Sequence, residues 1–128
     1  MTPDEVLSLR MHHQRVAGAS FARPEEAVRL LGAMQSQDYA GARWSVGQRT
    51  AGCTDADVAR AYDEGRILRT HVLRPTWHFV LPEDIGWMLA LTAPHVHALN
   101  AYMYRKLELD DALFARSHAL FALSLIHI

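Results

Sequence analysis

The 128-residue sequence predicts a mainly α, α+β fold of winged-helix type: a three-helix core, a two-stranded β-hairpin wing and flanking helices. Three observations predict it. Between residues 24 and 64, three stretches open on helix-starting signals and carry apolar residues at helical spacing. Residues 67–81 then turn rich in β-branched and aromatic side chains around Leu73-Arg74-Pro75, the pattern of a hairpin. From Pro82 onward the helical pattern returns. Helix, helix, helix, hairpin is the order of a winged-helix domain, although other small α+β domains share it.

The elements follow in order. Thr2, Pro3 and Glu5 form a capping-box start for a first helix, on which Val6, Leu9 and His13 share a face beside Arg10 and Gln14. Gly18-Ala19-Ser20 marks a loop. Pro24 opens a second helix, with Glu25 and Glu26 favourably placed against the positive end of its dipole. Its stripe Ala27, Leu30, Leu31, Met34 predicts a helix over 24–34 that delivers Gln35-Ser36-Gln37. Asp38 is placed to cap a third helix over 38–49, where Ala42, Trp44 and Val46 alternate with Arg43 and Arg49. Thr54 caps a fourth over 54–64, buries Val58, Ala61 and Tyr62, and stops at Gly65.

On the hairpin, Thr76 and His78 share one face and Trp77 and Phe79 the other, which is expected to be core. Arg69, His71 and Arg74 decorate it. Pro82 and Pro94 each open a further helix, and Asp110 caps a last one. The run 119–128 ends without a cap, so the chain is expected to be an N-terminal piece of a longer protein. Its last residues read as translated adapter sequence and carry no weight.

Composition bounds the function. Half the residues are hydrophobic and 21% are charged, as in a folded globular protein. A net charge of -1 excludes strong attraction of the whole chain to polyanions but leaves room for local patches. Among 13 basic residues only Lys106 is lysine. Arginine suits bidentate phosphate recognition, and a GC-rich genome produces the same bias. The single Cys53 excludes an internal disulfide and a thiolate metal cage. His95 and His97, two apart on a helix, do not share a face, so no metal and no cofactor are expected. The start lacks the basic and apolar regions of a signal peptide, and no apolar run is long enough to span a bilayer. A cytoplasmic, nucleoid-associated protein without membrane contact is expected.

Gln35 and Gln37 stand out, because a buried amide needs partners for both its donor and its acceptor. Read alone, they are either an exposed helix end or a polar site beside a core. They also sit in register with two other motifs. Upstream lies Arg10-Met11-His12-His13-Gln14-Arg15. Downstream lies Leu73-Arg74-Pro75-Thr76-Trp77-His78, followed by Pro82-Glu83-Asp84 and a helix with Trp87. In these motifs the chain resembles the AlkZ/YcaQ family of DNA glycosylases over about residues 8–115.

The resemblance implies tandem winged-helix units curving around DNA. Residues 1–20 would be an N-terminal helix, 21–81 the first winged-helix unit and 82–128 helices leading toward a second, truncated one. It implies hydrolysis of the N-glycosidic bond of alkylated purines, crosslinked ones included, in damaged double-stranded DNA by a monomer. Gln35 and Gln37 would be the catalytic pair positioning water, and Arg69, Arg74, Thr76, His78, Arg43 and Arg49 the DNA-binding residues. The chain alone is expected to be inactive. Asp38 is offset by one residue from the carboxylate of Gln-x-Asp relatives, so its expected role is a cap. The alternatives are a non-catalytic winged-helix DNA-binding module or regulator, and a helical domain that binds a protein partner. The acidic exposed face of the fourth helix (Asp55, Asp57, Asp63, Glu64) has the wrong sign for a major-groove reader.

Overall fold

The computed structural model of the chain describes residues 1–18, 20–73 and 76–126. It contains two compact units, Met1–Ala93 and Pro94–Ile128.

In the first unit, α1 (Pro3–His13) starts where its capping box predicts. Thr2 N–H donates to Glu5 Oε2 at 2.7 Å, and Glu5 N–H to Thr2 Oγ1 at 3.2 Å. None of its side chains is buried, so the Val6, Leu9 and His13 face lies on the surface and not in a core. Next, α2 (Pro24–Leu31) ends at Gly32, whose φ of +72° suits glycine and breaks the helix before the expected Met34. Ala27 and Val28 are fully buried, whereas Leu30 faces solvent. Past the break the chain is extended, and Met34–Gln35 forms a short strand, β1, in place of a helix end.

Two helices follow, α3 (Tyr39–Gly47) and α4 (Asp55–Asp63). Thr54 and Asp57 close a second capping box at the start of α4, with 2.9 and 3.3 Å bonds. The hairpin strands are β2 (Leu68–Val72) and β3 (Thr76–Val80). The antiparallel sheet has the order β1-β3-β2, with Gln35 opposite His78 on one side of β3 and Thr70 opposite His78 on the other.

This sheet separates two apolar layers. Met34, Phe79, Ile67 and Leu81 pack against Ala27 and Val28 of α2, Ala42 and Val46 of α3, and Val58 and Ala61 of α4. On the opposite face Val72 and Val80 pack with Met88 and Ile85 at the start of α5 (Pro82–Lys106). Phe79 is core as expected. Trp77 shares its face but lies toward the hairpin end, past the helical cover, and is only half-buried. Its ring instead lies tilted against that of His71, with centroids 4.1 Å apart, and under the Arg69 guanidinium.

The helix α5 runs unbroken through Pro94, so a second helix does not begin there. A proline inside a helix removes one backbone hydrogen bond, and the turns on either side continue. In the second unit, α6 (Asp111–Ile126) is capped by Asp110, whose Oδ1 accepts from Leu113 N–H at 2.7 Å. Tyr104 packs edge-on against Phe114 and hydrogen-bonds His97 Nδ1 at 3.2 Å. No helix is long and apolar enough to cross a membrane among the described residues.

Candidate active site

The site is built on β1, one of the two edge strands of the sheet. In a strand, side chains two residues apart point the same way. Met34 and Ser36 turn into the helical layer and are buried, while Gln35 and Gln37 turn outward and are exposed. The two glutamines line one shallow cleft of about 350 Å³, completed by Asp38, Gly41, Ala42 and Ser45. Its far wall is one face of α3, because positions 38, 41, 42 and 45 recur at helical spacing.

The backbone between the glutamines is pinned. Ser36 N–H donates to Trp77 O at 2.7 Å. Arg69 closes on the Ser36 carbonyl with two donors, Nε at 3.2 Å and Nη2 at 3.0 Å. The same guanidinium lies 4.5 Å from the Trp77 ring centroid and 5.3 Å from that of Tyr39, the range of cation–π attraction. Trp77 N–H also reaches Gln37 Oε1 at 3.4 Å. The Ser36 hydroxyl, fully buried, has no hydrogen-bond partner among the described residues.

Asp38 occupies the N-cap position of α3, as expected, but its side chain makes no capping hydrogen bond, so the expected capping role fails. Its carboxylate lies instead over Gly41: a Cβ on that glycine would stand 2.6 Å from Asp38 Oδ2.

The remaining candidates are dispersed. His78 is buried at 8% exposure beside Gln35 in the sheet register. Its Nδ1 lies 2.9 Å from Thr76 O, and since a carbonyl only accepts, Nδ1 carries the proton. Thr76 is half-buried, and its hydroxyl has no partner among the described residues. Arg43 pairs with Asp55 at 3.1 Å and covers the Tyr39 ring. Arg49 is buried and donates to Gln14 O, Ser45 O and Ser45 Oγ at 2.7–2.9 Å, a structural tie between the end of α1 and α3. Burial pushes its guanidinium pKa down. Arg74 lies outside the described residues. Sequence reading missed Asp38, Gly41 and Ser45 as cleft residues. Among the described residues no three His, Cys, Asp or Glu gather as a metal site.

Neutral amides beside a carboxylate can hold and polarise a water without a metal. Fold and site together define a winged-helix-like α+β unit with a polar cleft at the β1 edge of its sheet. Residues 28–124 match the family model described as DNA glycosylase AlkZ-like, and the chain belongs to that family of DNA repair glycosylases. The fold is similar to that of part of the Streptomyces sahachiroi DNA glycosylase AlkZ, with a TM-score of 0.63 at 22% identity over 92% of this chain. The match covers 29% of the Streptomyces protein, so the chain spans less than a third of its length. No curated protein matches the sequence.

Proposed function

We propose that this chain carries the base-excising site of a DNA glycosylase that hydrolyses the N-glycosidic bond of alkylated purines, crosslinked ones included, in double-stranded DNA. Gln35 and Gln37 position the water. The observation that carries the reading is that both line one cleft at the β1 edge of the sheet. A purine alkylated on a ring nitrogen already bears positive charge, so its departure needs little acid catalysis. The remaining needs are an oriented nucleophile and dipoles facing the developing oxocarbenium ion, which preorganised amides supply.

Arg69 positions the pair by fixing the carbonyl between them. The hairpin, with Arg69 and Trp77 along one face, is the element turned toward DNA. His78 stands opposite Gln35 in the sheet and backs it, and Thr76 lies two residues along the same face, next to the turn. Residues 1–128 alone are inactive, and the complete protein is a monomer that closes around the duplex with segments beyond them. The test uses the full-length protein and a duplex bearing a single 7-methylguanine. Gln35→Ala with Gln37→Ala abolishes base release while duplex binding persists. Unchanged base release in that double variant refutes the assignment.

A further inference from the structure

We infer that Asp38 is a third catalytic group of the glutamine cleft, accepting the proton of the water that Gln35 and Gln37 hold. The inference rests on the glycosylase reading above.

Three observations carry it. The first is a comparison of helix starts. Thr2, Thr54 and Asp110 each accept a backbone N–H of the first turn, at 3.2, 3.3 and 2.7 Å. Asp38 stands at the same position of α3, with extended backbone (φ −87°, ψ 110°), and makes no such bond. Its carboxylate has no hydrogen bond or ion pair among the described residues, although the side chain is well suited to capping. The second is location. Asp38 joins Gln35 and Gln37 in lining one open cleft. The third is the space it fills. Gly41 lies in the first turn of α3, where alanine would favour the helix more. A methyl group there would meet Asp38 Oδ2 at 2.6 Å and Cγ at 3.3 Å. The glycine leaves room for the carboxylate to lie against the helix at Gly41, itself a residue of the cleft wall.

The chemistry balances without a cofactor. The C1′–N9 bond breaks and its electron pair moves into the cationic base, which leaves neutral. Water oxygen forms the new bond to C1′. The water proton passes to the Asp38 carboxylate and then to solvent. A negative carboxylate near C1′ also favours the oxocarbenium ion, which neutral amides alone do less strongly.

Asparagine caps a helix as well as aspartate does. A capping or packing role for Asp38 therefore predicts no change on Asp38→Asn, and a proton-accepting role predicts a large one. In single-turnover excision from a duplex with one 7-methylguanine, Asp38→Asn in the full-length protein is expected to lower the rate by about 100-fold or more. Duplex affinity should be unchanged or tighter, because a negative charge near phosphates is removed, and the melting temperature should be unchanged. Gly41→Ala is the second variant. It should raise the melting temperature and still slow excision about 10-fold, by displacing the carboxylate from its place.

Excision at the wild-type rate by Asp38→Asn overturns the inference. So does a slower rate explained by an equal loss of duplex binding. A wild-type rate in Gly41→Ala overturns the placement of the carboxylate. Inactive glutamine variants beside an active Asp38→Asn would remove only Asp38 from the site. Active glutamine variants would remove the glycosylase reading itself.

Discussion

Within the unit Met1–Ala93, a second polar cleft of about 460 Å³ lies between the start of α2, the 50–53 turn and α4. It differs from the glutamine cleft in how its polar groups are used. Arg66 reaches Glu25 at 2.6 Å and Glu64 at 2.9 Å, Arg23 reaches Glu25 at 3.6 Å, and Arg60 reaches Asp57 at 3.4 Å. Each of these charges is answered by another from the fold. Cys53, at its wall, has its thiol pKa pushed up by burial and by the Asp57 charge, which keeps it protonated and a poor nucleophile. The glutamine cleft is smaller and holds two amides and a carboxylate with almost no internal partners. Polar groups that the fold satisfies hold it together; those it leaves open at a concave edge are available to a substrate.

The largest expected effect tests that division directly. Single Gln35→Ala and Gln37→Ala variants should each slow base release by about 100- to 1,000-fold, roughly 3–4 kcal/mol on the barrier, with little change in melting temperature. Single-turnover kinetics paired with thermal melts read both quantities. Arg66→Ala should do the reverse. It leaves the Glu25 carboxylate, at 8% exposure, with only the longer Arg23 contact. Breaking a buried pair costs several kcal/mol, but Arg66 is itself more than a third exposed, so the loss here should be about 1–2 kcal/mol. Urea denaturation measures it. An Arg66→Ala protein of normal stability and impaired excision would erase the distinction between the clefts.

Much of this contrast was readable in the residues. The Thr54-to-Asp57 capping box, the stop at Gly65 and the hairpin pairing are local signals, and local signals survive folding. The family was legible in the motifs and the glutamine pair also stood out, but the pair was expected at a helix end. Two clues pointed elsewhere: Gly32 is a helix-stop residue, and a spacing of two is the period of a strand. A two-residue strand is too short to show alternation, so the apolar stripe through Met34 masked both. The exposure of α1 and of Trp77 was not legible, because an apolar residue does not say whether another element will cover it. The position of Asp38 was legible and the direction of its side chain was not, since that depends on the room above Gly41.

A smaller effect sharpens the comparison inside the glutamine cleft itself. Ser36, between the amides, faces the helical layer with its hydroxyl buried and unpaired among the described residues. Removing an unsatisfied buried hydroxyl relieves its desolvation cost, so Ser36→Ala should stabilise the unit by about 1 kcal/mol. Excision should continue, because the Ser36 backbone groups that meet Trp77 and Arg69 remain. A destabilised Ser36→Ala protein would mean that the hydroxyl is satisfied in solution.

The smallest effect is the response to acid, and it belongs to hydrogen-bonded and ion-paired carboxyls outside the glutamine cleft. Backbone N–H groups of Arg23 and Ala22, helped by the Arg23 side chain, hold the Glu26 carboxyl below its ordinary 4.5. The Thr54 hydroxyl and N–H hold Asp57 below 3.8. The backbone at the start of α5 and Arg29 hold Glu83 below 4.5. A carboxyl with a depressed folded-state pKa binds fewer protons folded than unfolded. Its stabilising contribution is therefore complete above the ordinary value and is lost as pH falls through the lower, folded one. Melting temperature should be flat from pH 7 toward 5 and decline below about 4.5. Glu83 is exposed and Glu26 and Asp57 are only half-buried, so the decline should be shallow. Glu26→Gln should flatten part of it. Gln35→Ala and Gln37→Ala should leave the curve unchanged, since amides do not titrate. An acid response that vanished with the glutamine variants would show that the two clefts share their electrostatics after all.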